Sequence, residues 1–193
     1  MNLQLDFIIE AVNGRVLSGT CADITQVSTD SRKIAPGTLF VALKGEYFDG
    51  HDFLVNAVEV GASAVLVSRG DIHLPLECKA AVILVEDTLV ALQNLAARYR
   101  QLFSLPVIAI TGSVGKTTTK DMLADCLTSR YNTLKTQGNF NNEIGLPMTL
   151  FNLEPEHQAA VLEMGMRAPG EIHHLASLLM PDYAIITNVE PVH

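Results

Sequence analysis

The chain has 193 residues, 48% of them hydrophobic, enough apolar material for one large or two small packed domains. Its formal charge of −8 excludes a general nucleic-acid binder, because displacing counterions from phosphates needs a surplus of Lys and Arg on one face. There is no basic and apolar leader and no uninterrupted apolar span of about 18 residues, so neither secretion nor membrane insertion is expected. Cys21, Cys78 and Cys126 are odd in number and far apart, with no CxxC pair and no His at ligand spacing. Reduced thiols in a cytoplasmic protein fit that pattern.

In chain order, Phe7, Ile8, Ala11 and Val12 share one face of a short opening helix, which Asn13-Gly14 ends as a left-handed cap does. A polar stretch leads to a turn at Pro36-Gly37, a strand in LFVAL (39–43) and a glycine-flanked loop. Phe53, Leu54, Ala57 and Val58 form a helical stripe, and SAVLVS and AAVILVED read as buried strands. Residues 1–85 are therefore expected to form a small α/β domain. Leu89, Leu92, Leu95, Ala96, Tyr99 and Leu102 recur at helical spacing, so 86–105 is expected to be a connecting helix and linker. From 106 to 193 strands alternate with helices: VIAI, a helix over 116–130, NTLKT, AAVLEM, a helix opened by Pro169 and Gly170, and YAIIT. Such alternation predicts an α/β domain with a mainly parallel sheet and helical crossovers. The last strand reads as buried with no helix behind it, so this second domain is expected to be incomplete.

The corner AITGSVGKTTTKDML is the chemically informative stretch. Backbone N–H groups at a helix start lack intrahelical partners and carry the positive end of the helix dipole, so they attract an anion. Gly112 and Gly115 let the main chain wrap closely, Lys116 can reach terminal phosphates and the Thr117 hydroxyl can coordinate Mg²⁺. The usual spacing G-x-x-x-x-G-K-[ST] asks for Gly at position 110, where this chain has Ile110, so the loop is a variant. Glu163 ends AAVLEM, where open parallel sheets place their ligand crevice; it reads either as a second Mg²⁺ anchor or as an ordinary exposed Glu. His193 follows the next strand towards the same edge, and a lone His is as well explained structurally.

Three polar stretches could serve structure or a ligand. KTQGNFNNEIGLPMTL suits turns or hydrogen bonds to a polar ligand. In STDSR and KGEYFDGH, beside LFVAL, hydroxyls and amides can hold a nucleobase or sugar and Arg32 can grip a phosphate, but Ser28, Thr29, Asp30 and Ser31 are all good cap or turn residues, and on residue chemistry alone capping is the expectation. His173 and His174 read as a solvated helix face.

Taken together, TGSVGKTTTK, DSR with PGTLFVALKGEYFDGHDF and GASAVLV, GNFNNEIGLPMTL, LEMGMRAPGEI and TNVEPVH resemble the Mur ligases, ATP-dependent amide-forming enzymes of peptidoglycan synthesis. In that family the first P-loop Gly is commonly absent, so Ile110 is expected. The resemblance implies a uridine-binding N-terminal α/β domain followed by a truncated P-loop ATPase domain. Within the family the motifs are most similar to those of the last-acting member, which implies UDP-N-acetylmuramoyl tripeptide and D-alanyl-D-alanine as partners. ATP would phosphorylate the tripeptide carboxylate, and the dipeptide amine would attack the acyl phosphate. Lys116, Glu163 and His193 become the candidate catalytic residues, with Thr117, Glu163 and His193 as Mg²⁺ ligands. Gly112, Ser113, Val114, Gly115, Lys116, Thr117, Thr118, Asn139 and Asn142 become nucleotide contacts, with Asn141 in the same cleft-lining stretch. Thr29, Ser31, Arg32, Glu46, Tyr47 and Phe48 would approach the uridine diphosphate. A monomer is expected, and the 193 residues alone are expected not to ligate. The alternatives are the related ligase that adds the third amino acid, another P-loop enzyme such as a small kinase or GTPase, and a noncatalytic nucleotide-binding fragment.

Overall fold

The computed structural model describes residues 1–20, 23–75 and 77–190, and divides the chain into two units, Met1–Leu95 and Ala96–His193. The division falls inside the helix expected to connect two domains.

In the first unit, α1 (Leu5–Val12) ends where Asn13 itself takes the left-handed conformation (φ 49°), so the asparagine rather than Gly14 turns the chain. Strands β1 (Arg15–Ser18), β2 (Gln26–Ser28), β3 (Thr38–Val41), β4 (Ala62–Val67) and β5 (Ala81–Leu84) form one sheet in the order β1-β5-β4-β3-β2. β2 to β5 are parallel, and β1 runs antiparallel along β5. Neither β1 nor β2 is signalled by the sequence. Both are short, and β1 is largely exposed, so neither carries the apolar run that betrays β3 to β5. One sheet face packs Phe40, Val65, Val67 and Val82 against Leu54 and Ala57 of α2 (Leu54–Val60). The alternate residues Leu39, Leu66 and Ile83 point the other way and are fully buried.

Helix α3 (Thr88–Arg100) starts on the Asp87 carboxylate, which accepts from Leu89 N (2.7 Å) and Val90 N (3.0 Å). Its last turn belongs to the second unit, where the buried Tyr99 hydroxyl donates to Leu153 O at 2.7 Å and the ring packs edge-on to Phe103.

The second unit runs β6 (Val107–Thr111), α4 (Lys116–Thr128), β7 (Thr133–Lys135), α5 (Gly145–Leu150), β8 (Ala159–Glu163), α6 (Glu171–Leu179) and β9 (Tyr183–Ile186). All four strands are parallel, in the order β7-β8-β6-β9. α4 stops two residues short of the expected 130, and α5 was not foreseen, because Gly145 and Pro147 disguise a six-residue helix. β9 is not buried as expected. Among the described residues it pairs only with β6, and Tyr183 and Ile186 are more than half exposed. Ile110 and Val161 pack against Ala124 of α4, which fixes that helix on the sheet.

The strand order creates the site. From β6 the chain crosses over β8 to reach β7, whereas from β8 it crosses back over β6 to reach β9. Right-handed crossovers in opposite directions leave their helices on opposite faces, opening a crevice at the carboxyl ends of β6 and β8. Tyr99→Phe should lower the stability of the second unit by about 1 kcal/mol, because Leu153 O loses its buried donor; urea denaturation measures it.

Candidate functional site

The phosphate-loop sequence lies in that crevice. Ile110 sits in register with Glu163, and Met164 N donates to Ile110 O at 2.8 Å, so the loop leaves β6 directly beside the end of β8. Gly112 (φ 134°) and Gly115 (φ 86°) occupy backbone regions that side chains rarely adopt. Gly115 caps α4 in the left-handed conformation with no side-chain cap, and nothing lies within 4 Å of where its Cβ would be. The N–H groups of Lys116, Thr117 and Thr118 precede the first intrahelical bond, from Thr119 N to Gly115 O (2.9 Å). They form an anion-attracting terminus. Lys116 Nζ donates to Gly112 O (2.7 Å) and Ser113 O (3.3 Å), lying across the loop it would serve.

Glu163 is 2% exposed, not a surface residue. Its Oε2 accepts from the Thr117 hydroxyl (2.9 Å) and its Oε1 from Asn141 Nδ2 (2.8 Å). Both donors are neutral, and a buried carboxylate held by neutral groups favours a nearby cation. Behind it, Glu163 N donates to the buried Thr136 hydroxyl (2.9 Å), and Thr136 O accepts from the buried Lys120 Nζ (2.9 Å). Thr136, Lys120 and Asn141 were not picked out from the sequence as parts of this cluster. Lys120, one turn beyond Lys116 on α4, was the available signal.

The donor set suits Mg²⁺, a hard cation commonly bound by one or two carboxylates and hydroxyls together with substrate phosphates. Among the described residues there is no group of three His, Cys, Asp or Glu side chains that could hold a metal ion. His193 lies outside the described residues.

The asparagines separate into different tasks. Asn142 Oδ1 accepts from Ile144 N (3.2 Å) and Gly145 N (2.7 Å), capping α5. Asn139 is exposed, and its carbonyl accepts from Asn141 N (2.8 Å). Asn141 alone of the three reaches the carboxylate. Beside Lys116 opens a cavity of about 500 Å³ whose lining includes Asn141, Glu143, Arg167, Glu171 and His174. Its wall is shaped by Glu171 Oε2, which accepts from Arg167 N (2.6 Å) and Ala168 N (3.3 Å); these bonds hold the carboxyl below its usual range.

In the first unit, the two polar stretches follow the adjacent parallel strands β2 and β3, at the carboxyl edge of that sheet. Asp30 caps the 3₁₀ turn Ser31–Lys33 by accepting from Arg32 N (3.0 Å), and Ser28 Oγ donates to Asp30 O (2.9 Å). The Arg32 fork is engaged by Asp30, with Nε to Oδ1 at 2.8 Å and Nη2 to Oδ2 at 2.9 Å. The Arg32 hydrogen bonds hold the Asp30 carboxyl down at about 2. In the next loop Gly45 N donates to Phe48 O (2.8 Å), and Tyr47 and Phe48 are 83% and 76% exposed, a display of aromatic surface that folding alone does not explain. That loop is pinned through the buried His51, whose Nε2 accepts from Ser68 N (3.0 Å), so Nδ1 carries the proton it gives to Asp49 (2.6 Å). Thr29, Ser31 and Glu46 lie on these same loops.

Residues 23–100 match the Mur ligase family catalytic domain, and residues 110–193 match the Mur ligase middle domain. The chain belongs to the Mur ligase family. Among curated Mur ligases it is similar to the UDP-N-acetylmuramoyl-tripeptide--D-alanyl-D-alanine ligases of Escherichia coli (45% identical, all of this chain and 41% of the relative) and Bacillus subtilis (52%, 86% and 36%). Of solved Mur ligases it is similar to MurF from Acinetobacter baumannii, with TM-score 0.91 and 38% identity over all of this chain and 42% of that one. It is similar too to Thermotoga maritima MurF in complex with ADP, with TM-score 0.78 and 38% identity over 87% and 38%. The chain thus spans about two fifths of the length of these relatives.

Since the depressed Asp30 carboxyl contributes stability above the ordinary Asp range, that contribution should fade as pH falls from about 4 towards 2. In Arg32→Ala, a carbon-detected NMR titration should show the Asp30 midpoint moving up towards the ordinary Asp value.

Proposed function

We propose that the protein carrying this chain is an ATP-dependent ligase of peptidoglycan precursor synthesis that joins D-alanyl-D-alanine to UDP-N-acetylmuramoyl tripeptide. The observation that carries the reading is the pairing of the lysine-bearing phosphate loop with the buried Glu163–Thr117 couple, in a chain similar over its whole length to UDP-N-acetylmuramoyl-tripeptide--D-alanyl-D-alanine ligases. When bound, ATP would supply the phosphoryl group that activates the tripeptide carboxylate, with Mg²⁺ neutralising the phosphates.

The residues divide the work by position. Thr117 and Glu163 would hold Mg²⁺, and His193 is proposed for a second metal. The first-turn N–H groups of α4 bind the phosphate tail, and Lys116 exchanges the carbonyls of Gly112 and Ser113 for the migrating phosphoryl oxygens. Asn141 orients the Glu163 carboxylate. The cavity beside Lys116 admits the peptide end of the acceptor, where Lys116 and Arg167 offer cations to its carboxylate. In the first unit, exposed Tyr47 and Phe48 provide a stacking surface for the uracil, with Thr29, Ser31, Arg32 and Glu46 around the diphosphate. For Arg32 this requires sharing or leaving Asp30. A cytoplasmic monomer is part of the proposal; no helix among the described residues is long and apolar enough to cross a membrane. Ligation is assigned to the full-length protein and not to these 193 residues alone.

The deciding assay is ATP-dependent phosphate release by the full-length protein. Release that requires both UDP-N-acetylmuramoyl tripeptide and D-alanyl-D-alanine is expected, whereas release indifferent to both would overturn the reading. Lys116→Ala should cut release at least about a hundredfold while UDP-tripeptide binding by calorimetry changes less than about twofold. Glu163→Ala should raise the Mg²⁺ concentration for half-maximal activity roughly tenfold.

A further inference from the structure

The residues that follow β9 wrap the phosphate loop. Thr187 N donates to Thr111 O (3.0 Å), carrying the β6–β9 pairing one step beyond the strands. Ser113 N then donates to Asn188 O (3.1 Å), and Val114 N donates to the Asn188 side-chain Oδ1 (2.9 Å). The Thr187 hydroxyl donates to Val114 O (2.6 Å). The Ser113 hydroxyl closes the set, donating to Glu190 O and accepting from Glu190 N, both at 2.9 Å. A Cβ on Gly112 would collide with the Thr187 hydroxyl, so this approach is also what excludes a side chain there.

Two of the main-chain donors expected to cradle phosphate are therefore turned to the β9 side. The anion is left with the N–H groups at the start of α4 and with Lys116. We infer that Asn188 is a positioning residue for the nucleotide: by holding the Ser113 and Val114 N–H groups, it fixes the loop in the shape that aims the α4 terminus and Lys116 at the phosphates. The inference deepens the ligase reading and rests on it. A loop with two glycines at positive φ samples many shapes, and ordering it beforehand removes that cost from binding. An amide oxygen suits the task because it accepts from Val114 N without bringing negative charge towards a polyanion.

The test compares Asn188→Ala with the parent full-length ligase. Loss of one oriented hydrogen bond should raise KM for ATP roughly tenfold while kcat and KM for the UDP-tripeptide stay within about threefold. In the nucleotide-free protein, the Val114 amide should exchange with solvent roughly tenfold faster in the variant. An unchanged KM for ATP, a parallel rise in both KM values, or unaltered Val114 exchange would overturn the inference. Should Asn188→Ala fail to fold, Thr187→Val, which removes the hydroxyl bond to Val114 O, must show the same pattern with a smaller rise. If the parent shows no ligation, the ligase reading fails, and Val114 exchange alone decides whether Asn188 sets the loop.

Discussion

A carboxylate with almost no contact with water is the constraint around which the second unit is arranged. Glu163 is buried, and a carboxyl group in that condition needs hydrogen-bond donors. It finds a hydroxyl from α4 and an amide from the loop before α5, while its own N–H is taken by Thr136 at the end of β7. The ammonium of Lys120 reaches the same cluster only through the Thr136 carbonyl. Positive charge is thus kept one residue away, and the face towards the phosphate loop is left to a hydroxyl. That is an arrangement suited to sharing a metal ion with a phosphate chain.

Such a cluster depends on strand order more than on any single residue. Thr117 and Glu163 stand 46 positions apart, and Asn141 and Glu163 stand 22 apart. They meet because the chain passes over β8 on leaving β6 and returns to fill the gap, placing two strand ends side by side with their crossover helices on opposite faces. Parallel pairing of Ile110 with Glu163 then fixes the height of the loop against the carboxylate. Pairing on the other side of β6 with β9 delivers Thr187 and Asn188 to the loop.

The first unit uses local chemistry where the second uses long-range contacts. Asp30 and Asp49 each cap the short turn that follows them. His51 joins its loop to the end of β4 through Ser68 N, and the exposed aromatics Tyr47 and Phe48 lie on that same loop. The capping carboxylates shape the loops, and the neighbouring Tyr47 and Phe48 side chains stay accessible.

Sequence alone determined the two α/β segments, the strands from β3 onward, the parallel sheet of the second, the phosphate-loop corner and the family, because those depend on apolar runs, helical periodicity and short-range spacing of Gly, Lys and Thr. It also marked Glu163 at the end of its strand, without fixing whether that carboxylate was buried. Tertiary structure alone decided the burial, the roles of Thr136, Lys120 and Asn188, and the difference between Asn141, which reaches Glu163, and Asn142, which caps α5. Short edge strands such as β1 likewise gained their identity only from a partner, here β5. The physical reason is the same in each case: hydrogen-bond partners tens of residues apart are chosen by sheet register and crossover direction, and neither leaves a periodic trace in the chain.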